Sequence, residues 1–180
     1  MKYMFASDVH GSAYYCRKML DAYKEEKAER LVLLGDLLYH GPRNDLPREY
    51  APKQVISMLN DMKKEIYAVR GNCEAEVDQM VLQFPVMADY CILNLDGRTF
   101  YATHGHIYNE NNLPPIQEGD ILIHGHTHVL KAEQKEGYVL LNPGSVSIPK
   151  EGNPPTYAIF EAGVFTIKDF EGNIVKSIEL

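Results

Sequence analysis

The chain has 180 residues, 45% hydrophobic and 24% charged, an ordinary globular composition at a length suited to one domain spanning residues 1–180. A formal net charge of −7 opposes sequence-independent attraction to long nucleic acid or an anionic membrane, though not a small, focused cationic site. Three scattered cysteines, Cys16, Cys73 and Cys91, make neither a disulfide framework nor paired zinc spacing, and no apolar run reaches signal-peptide or membrane-spanning length, so a soluble cytoplasmic protein is expected.

In chain order, Lys2 to Ser7 predicts a short buried strand, Tyr14 to Lys27 a helix and Arg30 to Leu34 a second strand. Such a βαβ start implies parallel pairing. A loop rich in Pro, Arg and Asn covers Tyr39 to Ala51, after which Pro52 to Lys64 reads as a helix and Glu65 to Arg70 as a strand. From Ala88 the character changes to short strands: Tyr90 to Leu95, Thr99 to Thr103, Ile121 to His124, Tyr138 to Leu141, Tyr157 to Glu161, Val164 to Asp169 and Asn173 to Ile178. Asp96-Gly97, Glu136-Gly137, Ala162-Gly163 and Glu171-Gly172 supply hairpin turns. A βα half followed by a β-rich half predicts an α/β fold of two packed sheets with helices outside.

Polar groups stand where α/β folds place ligands, at the C-terminal ends of strands. Asp8 and His10 follow the first strand, Asp36 the second and Asn72 the third; His104, His124, His126 and His128 follow in the second half. Carboxylates neutralise and bridge divalent ions, imidazole suits borderline transition metals, and the Asn carbonyl adds oxygen without charge. Gly11, Gly35, Gly71, Gly105 and Gly125 sit beside them, where the backbone must turn sharply. Taken singly, most of these groups have ordinary explanations: Asp8, Asp36 and Asn72 as cap or turn residues, His104 as a satisfied core histidine. Only Gly125-His126-Thr127-His128 is specific by itself, because histidines at alternate positions converge on one site.

The order of the pieces decides. Asp8-x-His10, Gly35-Asp36, Gly71-Asn72, His104 and Gly125-His126-x-His128 together resemble the signature of the calcineurin-like metallophosphoesterase superfamily. Ser7 to Ser12, Gly41 to Asn44, Val69 to Glu74 and Asn142 to Pro149 extend the resemblance to its YfcE-type phosphodiesterases. That resemblance implies an αββα sandwich of two mixed sheets flanked by helices. It also implies two divalent ions, with Asp8, His10 and His128 on the first, Asn72, His104 and His126 on the second, and Asp36 bridging them. Manganese is the first choice, with zinc, iron, nickel or magnesium as alternatives. The implied reaction is hydrolysis of small phosphodiesters by a metal-bound hydroxide, with Asp36, Asn72 and His106 as catalytic residues.

Where many relatives have Gly-Asn-His, this chain has Gly71-Asn72-Cys73-Glu74, and a thiol is a weak donor that does not replace an imidazolium acid. Cys73 therefore reads as a packing residue before a nucleophile. His124 reads as structural or as support for the ligands; His106 contacts substrate or orients His104. Arg43, Asn44 and Arg70 are candidates for phosphate contact, set against the reading of exposed Arg as solvated surface. The loop carrying His40 and Asn44 is a candidate rim or contact between copies in a homo-oligomer. The alternatives to a phosphodiesterase are a phosphomonoesterase, such as a protein phosphatase or nucleotidase, and a non-catalytic binding scaffold like the retromer subunit of this fold.

Overall fold

The first strand, β1 (Tyr3–Ala6), sends Met4 and Ala6 to one side and Phe5 to the other, and all three are fully buried. A strand buried on both faces lies inside a layered molecule. The computed structural model describes residues 1–180 and shows those layers as two mixed sheets.

Helix α1 (Ala13–Glu25) starts where the Ser12 hydroxyl accepts the Tyr15 N–H and leads to β2 (Arg30–Leu33), which pairs in parallel with β1. Helix α2 (Pro52–Asp61) opens with Pro at its first position, and β3 (Ile66–Ala68) extends the parallel set. A short helix α3 (Glu76–Val81) precedes β4 (Tyr90–Leu95) and β5 (Arg98–Thr103), which pair antiparallel. Strands β6 (Asp120–Ile123), β7 (Lys131–Gln134) and β8 (Tyr138–Asn142) complete the second sheet, in the order β4-β5-β6-β8-β7, with β5, β6 and β8 parallel. Strands β9 (Thr156–Glu161), β10 (Val164–Asp169) and β11 (Ile174–Glu179) return to the first sheet, β11-β10-β9-β1-β2-β3.

Phe5, Val32, Leu34 and Val69 meet Phe100, Ile121, Ile123 and Leu141 between the sheets. Phe5 stacks on Phe100 with ring centroids 6.0 Å apart. Met4, Ala6, Leu31 and Leu33 meet the buried faces of α1 and α2 outside the first sheet. The outer face of the second sheet holds a small cluster of Tyr101, Leu122 and Leu140. No helix is long and apolar enough to cross a membrane.

Two elements lie outside the sequence expectations. The strand β7, Lys-Ala-Glu-Gln, lacks an alternating apolar pattern because it is a sheet edge, where charge protects against further pairing. Helix α3 buries no residue, so no apolar stripe marks it. Asp96-Gly97 and Ala162-Gly163 make the expected two-residue hairpins, all four residues having positive φ.

Candidate metal centre

Strands β1, β2 and β3 run parallel in one sheet and β5 and β6 in the other, and the loops leaving them carry all seven ligand candidates. Five of these residues take left-handed backbone: Asp8 (φ 59°), His10 (48°), Asp36 (56°), His126 (65°) and His128 (60°). Each costs roughly 1–3 kcal/mol and persists only when its surroundings over-determine it. They do so here: Ser145 and Ser147 Oγ both donate to the Asp8 carbonyl, at 2.9 and 3.0 Å. The His10 N–H donates to Asp36 O at 2.9 Å, and the His126 N–H donates to Asp8 Oδ2 at 3.1 Å.

Gly71 and Gly125 serve for a different reason from the sharp turn expected of them, since neither has positive φ. A Cβ at Gly71 would run into the Asp36 carboxylate and lie 2.8 Å from Glu74 Oε2; one at Gly125 would run into Ser7 Oγ and lie 2.7 Å from Asp8 Oδ2. Space beside the carboxylates requires glycine there.

The donor atoms gather into two sets that share one oxygen. His128 Nε2 lies 3.2 Å and His10 Nε2 3.6 Å from Asp8 Oδ1, and the two ring nitrogens are 3.4 Å apart. Across the site His104 Nε2 lies 3.1 Å from Asn72 Oδ1 and 3.2 Å from His126 Nδ1. Asp36 Oδ2 stands 3.6 Å from His10 Nε2 and 3.4 Å from His104 Nε2. Its other oxygen accepts the Cys73 N–H at 2.9 Å.

Three rings are oriented from behind: the Nδ1 atoms of His10, His104 and His128 lie 2.8, 2.6 and 2.8 Å from the carbonyls of Tyr39, Leu34 and Ile148. Donation there places the Nδ1 proton away from the site and turns Nε2, the nitrogen that would meet a cation, inward. Burial works against charge on His104, yet the Asp36 and Asp8 carboxylates outweigh it and raise its pKa to about 9. Burial and the neighbouring His104 hold His126 down at about 4. Burial likewise opposes charge on Asp8 and Asp36, but their histidine partners keep both carboxyls below the usual range.

Such a cluster fits divalent cations. Ligands about 2.0–2.2 Å from one ion stand roughly 3.0–3.6 Å from each other, the separation seen in both sets. Asp8 Oδ1 is buried without a hydrogen-bond donor, an orphan that a cation would satisfy. Nitrogen and oxygen donors with open positions suit a catalytic ion of the manganese, iron or zinc type.

The model of the calcineurin-like phosphoesterase superfamily domain matches residues 1–163. The chain belongs to that superfamily. It is accordingly of the phosphoric ester hydrolase class, in a family that works with metals. Phosphodiesterase YfcE of Escherichia coli is 46% identical over 167 residues, 93% of this chain and 91% of that one. The solved structure of YfcE, described as a phosphoesterase from E. coli, superimposes with a TM-score of 0.97 at 43% identity and 99% coverage of both chains. A Vps29 variant from Entamoeba histolytica, at 21% identity, TM-score 0.68 and 100% and 99% coverage, shares the fold alone.

Within this superfamily chain, the centre opens on a cavity of about 450 Å³ with His10, Asp36, Asn72, Cys73, His126 and His128 in its wall. Arg43 and Asn44 line it as well, whereas Arg70 is committed to Asp89 at 2.7 Å and stands outside. His106 lies outside the lining and packs edge-on against His104, ring centroids 5.4 Å apart. His124 is buried with Nδ1 beside Gly125 O at 3.0 Å, away from the ligand sets. Cys73 borders the cavity as a thiol: burial first, then the Asp36 charge, pushes its pKa well up.

Sequence reasoning missed Glu74. Its buried carboxylate accepts the N–H groups of Asp36, Leu37 and Gly71 at 2.8, 2.7 and 2.6 Å, tying the loop after β2 to the loop after β3. The available signal was a carboxylate two residues beyond Asn72 in a loop that turns back on itself. Lys150, also on the cavity wall, carried no signal, being a lone lysine in a Pro-Lys-Glu-Gly turn.

Proposed function

We propose that residues 1–180 form one domain that hydrolyses small phosphodiesters at a pair of divalent ions, manganese first. Asp8, His10 and His128 would hold one ion, Asn72, His104 and His126 the other, and Asp36 would serve both. The observation that carries this reading is the shared oxygen: Asp36 Oδ2 lies 3.6 Å from one donor set and 3.4 Å from the other. Two divalent ions, when bound, supply Lewis acidity toward the phosphoryl oxygens and acidify a water for in-line attack.

The chain's own groups account for the rest. Carbonyls behind His10, His104 and His128 fix the three rings with Nε2 turned toward the site, where a bound cation would take the place of the proton that Asp36 and Asp8 favour on His104. The Cys73 N–H and the Glu74 carboxylate hold the Asp36 turn, so its free oxygen does not swing away. His106 is read as orienting the His104 ring, which it touches, rather than as a substrate contact. With Cys73 kept a neutral, weakly donating thiol, little acid assistance reaches the leaving oxygen, and activated diesters are the favoured class. Three free cysteines agree with a reducing cytoplasm.

The test reconstitutes chelator-stripped protein with manganese and counts metal on the sample assayed. Two ions per chain and turnover of bis(p-nitrophenyl) phosphate above that of p-nitrophenyl phosphate are expected. One ion at full activity removes the bridge, and preference for the monoester moves the chain to the phosphatases.

A further inference from the structure

We propose that the rim of the metal cavity is a subsite for a second phosphate group, so that the natural substrate is a phosphodiester bearing a phosphate monoester on one of its arms. This rests on the phosphodiesterase reading and adds a substrate class to it.

Eleven of the twelve residues around the 450 Å³ cavity are not hydrophobic, and its only aromatic rings are the metal-binding histidines, so no apolar or stacking wall recognises the arms of the ester. Recognition there falls to charge. Two cations, Arg43 and Lys150, face the cavity from different segments, and neither side chain takes part in an ion pair or hydrogen bond. The sole carboxylate in the lining is Asp36, which belongs to the metal set.

Both cations stand on tied backbone. The Lys150 N–H donates to the carbonyl of His128 at 3.1 Å, and Asn153 caps the Lys150 carbonyl with its own N–H at 3.2 Å and its Nδ2 at 2.9 Å. Beside Arg43, Asn44 Nδ2 donates to His40 O at 2.8 Å, closing the 40–44 turn. On the same cavity wall Thr127 Oγ1 accepts from Asn142 Nδ2 at 3.1 Å and from the Val129 N–H at 3.4 Å. With both lone pairs used, its hydroxyl proton is free for the cavity that Thr127 lines.

Charge decides the ligand. The diester carries one negative charge, and two divalent ions held by the Asp8 and Asp36 carboxylates would leave two positive charges, already matched by the diester and the attacking hydroxide. Two further cations have no task at the scissile phosphorus. A phosphate monoester, with about −1.5 to −2 charges and three acceptor oxygens, matches a guanidinium, an ammonium and a hydroxyl donor; a carboxylate leaves one charge over.

The test compares two chromogenic substrates that differ by one phosphate: thymidine 5′-(p-nitrophenyl phosphate) with and without a 3′-phosphate, on the manganese-loaded protein. At low salt the 3′-phosphorylated substrate should have kcat/KM higher by about five- to tenfold, mainly through KM, a size set by two exposed ion pairs. The advantage should shrink as salt screens it. Arg43→Gln and Lys150→Gln should each reduce the ratio, and together bring it close to one. A ratio near one in the unaltered protein, or one the double substitution leaves in place, overturns the subsite while hydrolysis of bis(p-nitrophenyl) phosphate leaves the phosphodiesterase reading standing. No hydrolysis of any diester overturns both.

Discussion

Removing the Glu74 carboxylate is the sharpest test of how the centre is built, because the residue binds no substrate and belongs to neither donor set. Its oxygens accept three backbone N–H groups, from Asp36, Leu37 and Gly71, in a position with 8% exposure. Truncation in Glu74→Ala strands three buried donors at about 1–3 kcal/mol each. Against that stands the cost of burying the carboxylate, which raises its pKa, helped by the nearby Asp36 charge. The two partly offset, and a net loss of about 3–5 kcal/mol follows for alanine, a fall in Tm on the order of 10 °C. Glu74→Gln loses no volume and relieves the buried charge, but it turns an amide NH2 toward at least one backbone N–H. Its stability should stay within about 2 kcal/mol, while the Asp36 turn is pushed out of place. Half-maximal activation should then need about 10- to 100-fold more manganese, as expected when a ligand's support is lost. Thermal unfolding of the metal-free protein and a manganese titration of activity measure the two effects separately. Unchanged manganese dependence in both variants would show that Glu74 packs the fold without setting the Asp36 position.

Asp36→Asn should lower kcat/KM by more than about 100-fold, beyond the usual effect of losing a supporting partner. Cys73→Ala should cost far less, since the N–H that holds Asp36 Oδ1 remains; equal losses at matched metal content would point to thiol chemistry instead. In a series of aryl diesters the rate should fall steeply with leaving-group pKa, and Cys73→His should flatten that slope if an imidazolium there regains part of the roughly 10²–10⁴ available to a general acid. A flat slope in the unaltered protein refutes this. Away from the centre, Glu26 Oε1 accepts from Lys168 Nζ at 2.6 Å and Tyr157 Oη at 3.1 Å. Burial opposes its charge, but Lys168 outweighs it and sets the carboxyl below its ordinary 4.5. A depressed carboxyl stabilises above the unfolded value and loses that contribution as pH falls through the folded one. The Tm gap between the protein and Glu26→Gln should therefore be full at pH 7 and narrow progressively as pH falls below the ordinary 4.5; a gap independent of pH would remove the ionic role.

Much of the candidate centre was legible because each candidate ligand sits inside a short motif at a strand end, where chain order and glycine placement survive in one dimension. Asp8-x-His10 and His126-x-His128 announce themselves, and β1, β2 and β6 read as apolar runs because they are buried. Glu74 shows how far that goes: its N–H partners lie 37 and 38 positions away at Leu37 and Asp36, so only the folded loops reveal its task. The same holds for Lys150, brought to the cavity by its bond to His128, and for Arg70, one of three candidates for phosphate contact, whose guanidinium pairs with Asp89 instead. Local sequence determined which residues have metal chemistry and which strands are buried, since those depend on side-chain type and period. The tertiary structure decided which donors share an oxygen, which cations remain unpaired and which backbone stays strained, because those depend on contacts between segments up to 153 residues apart.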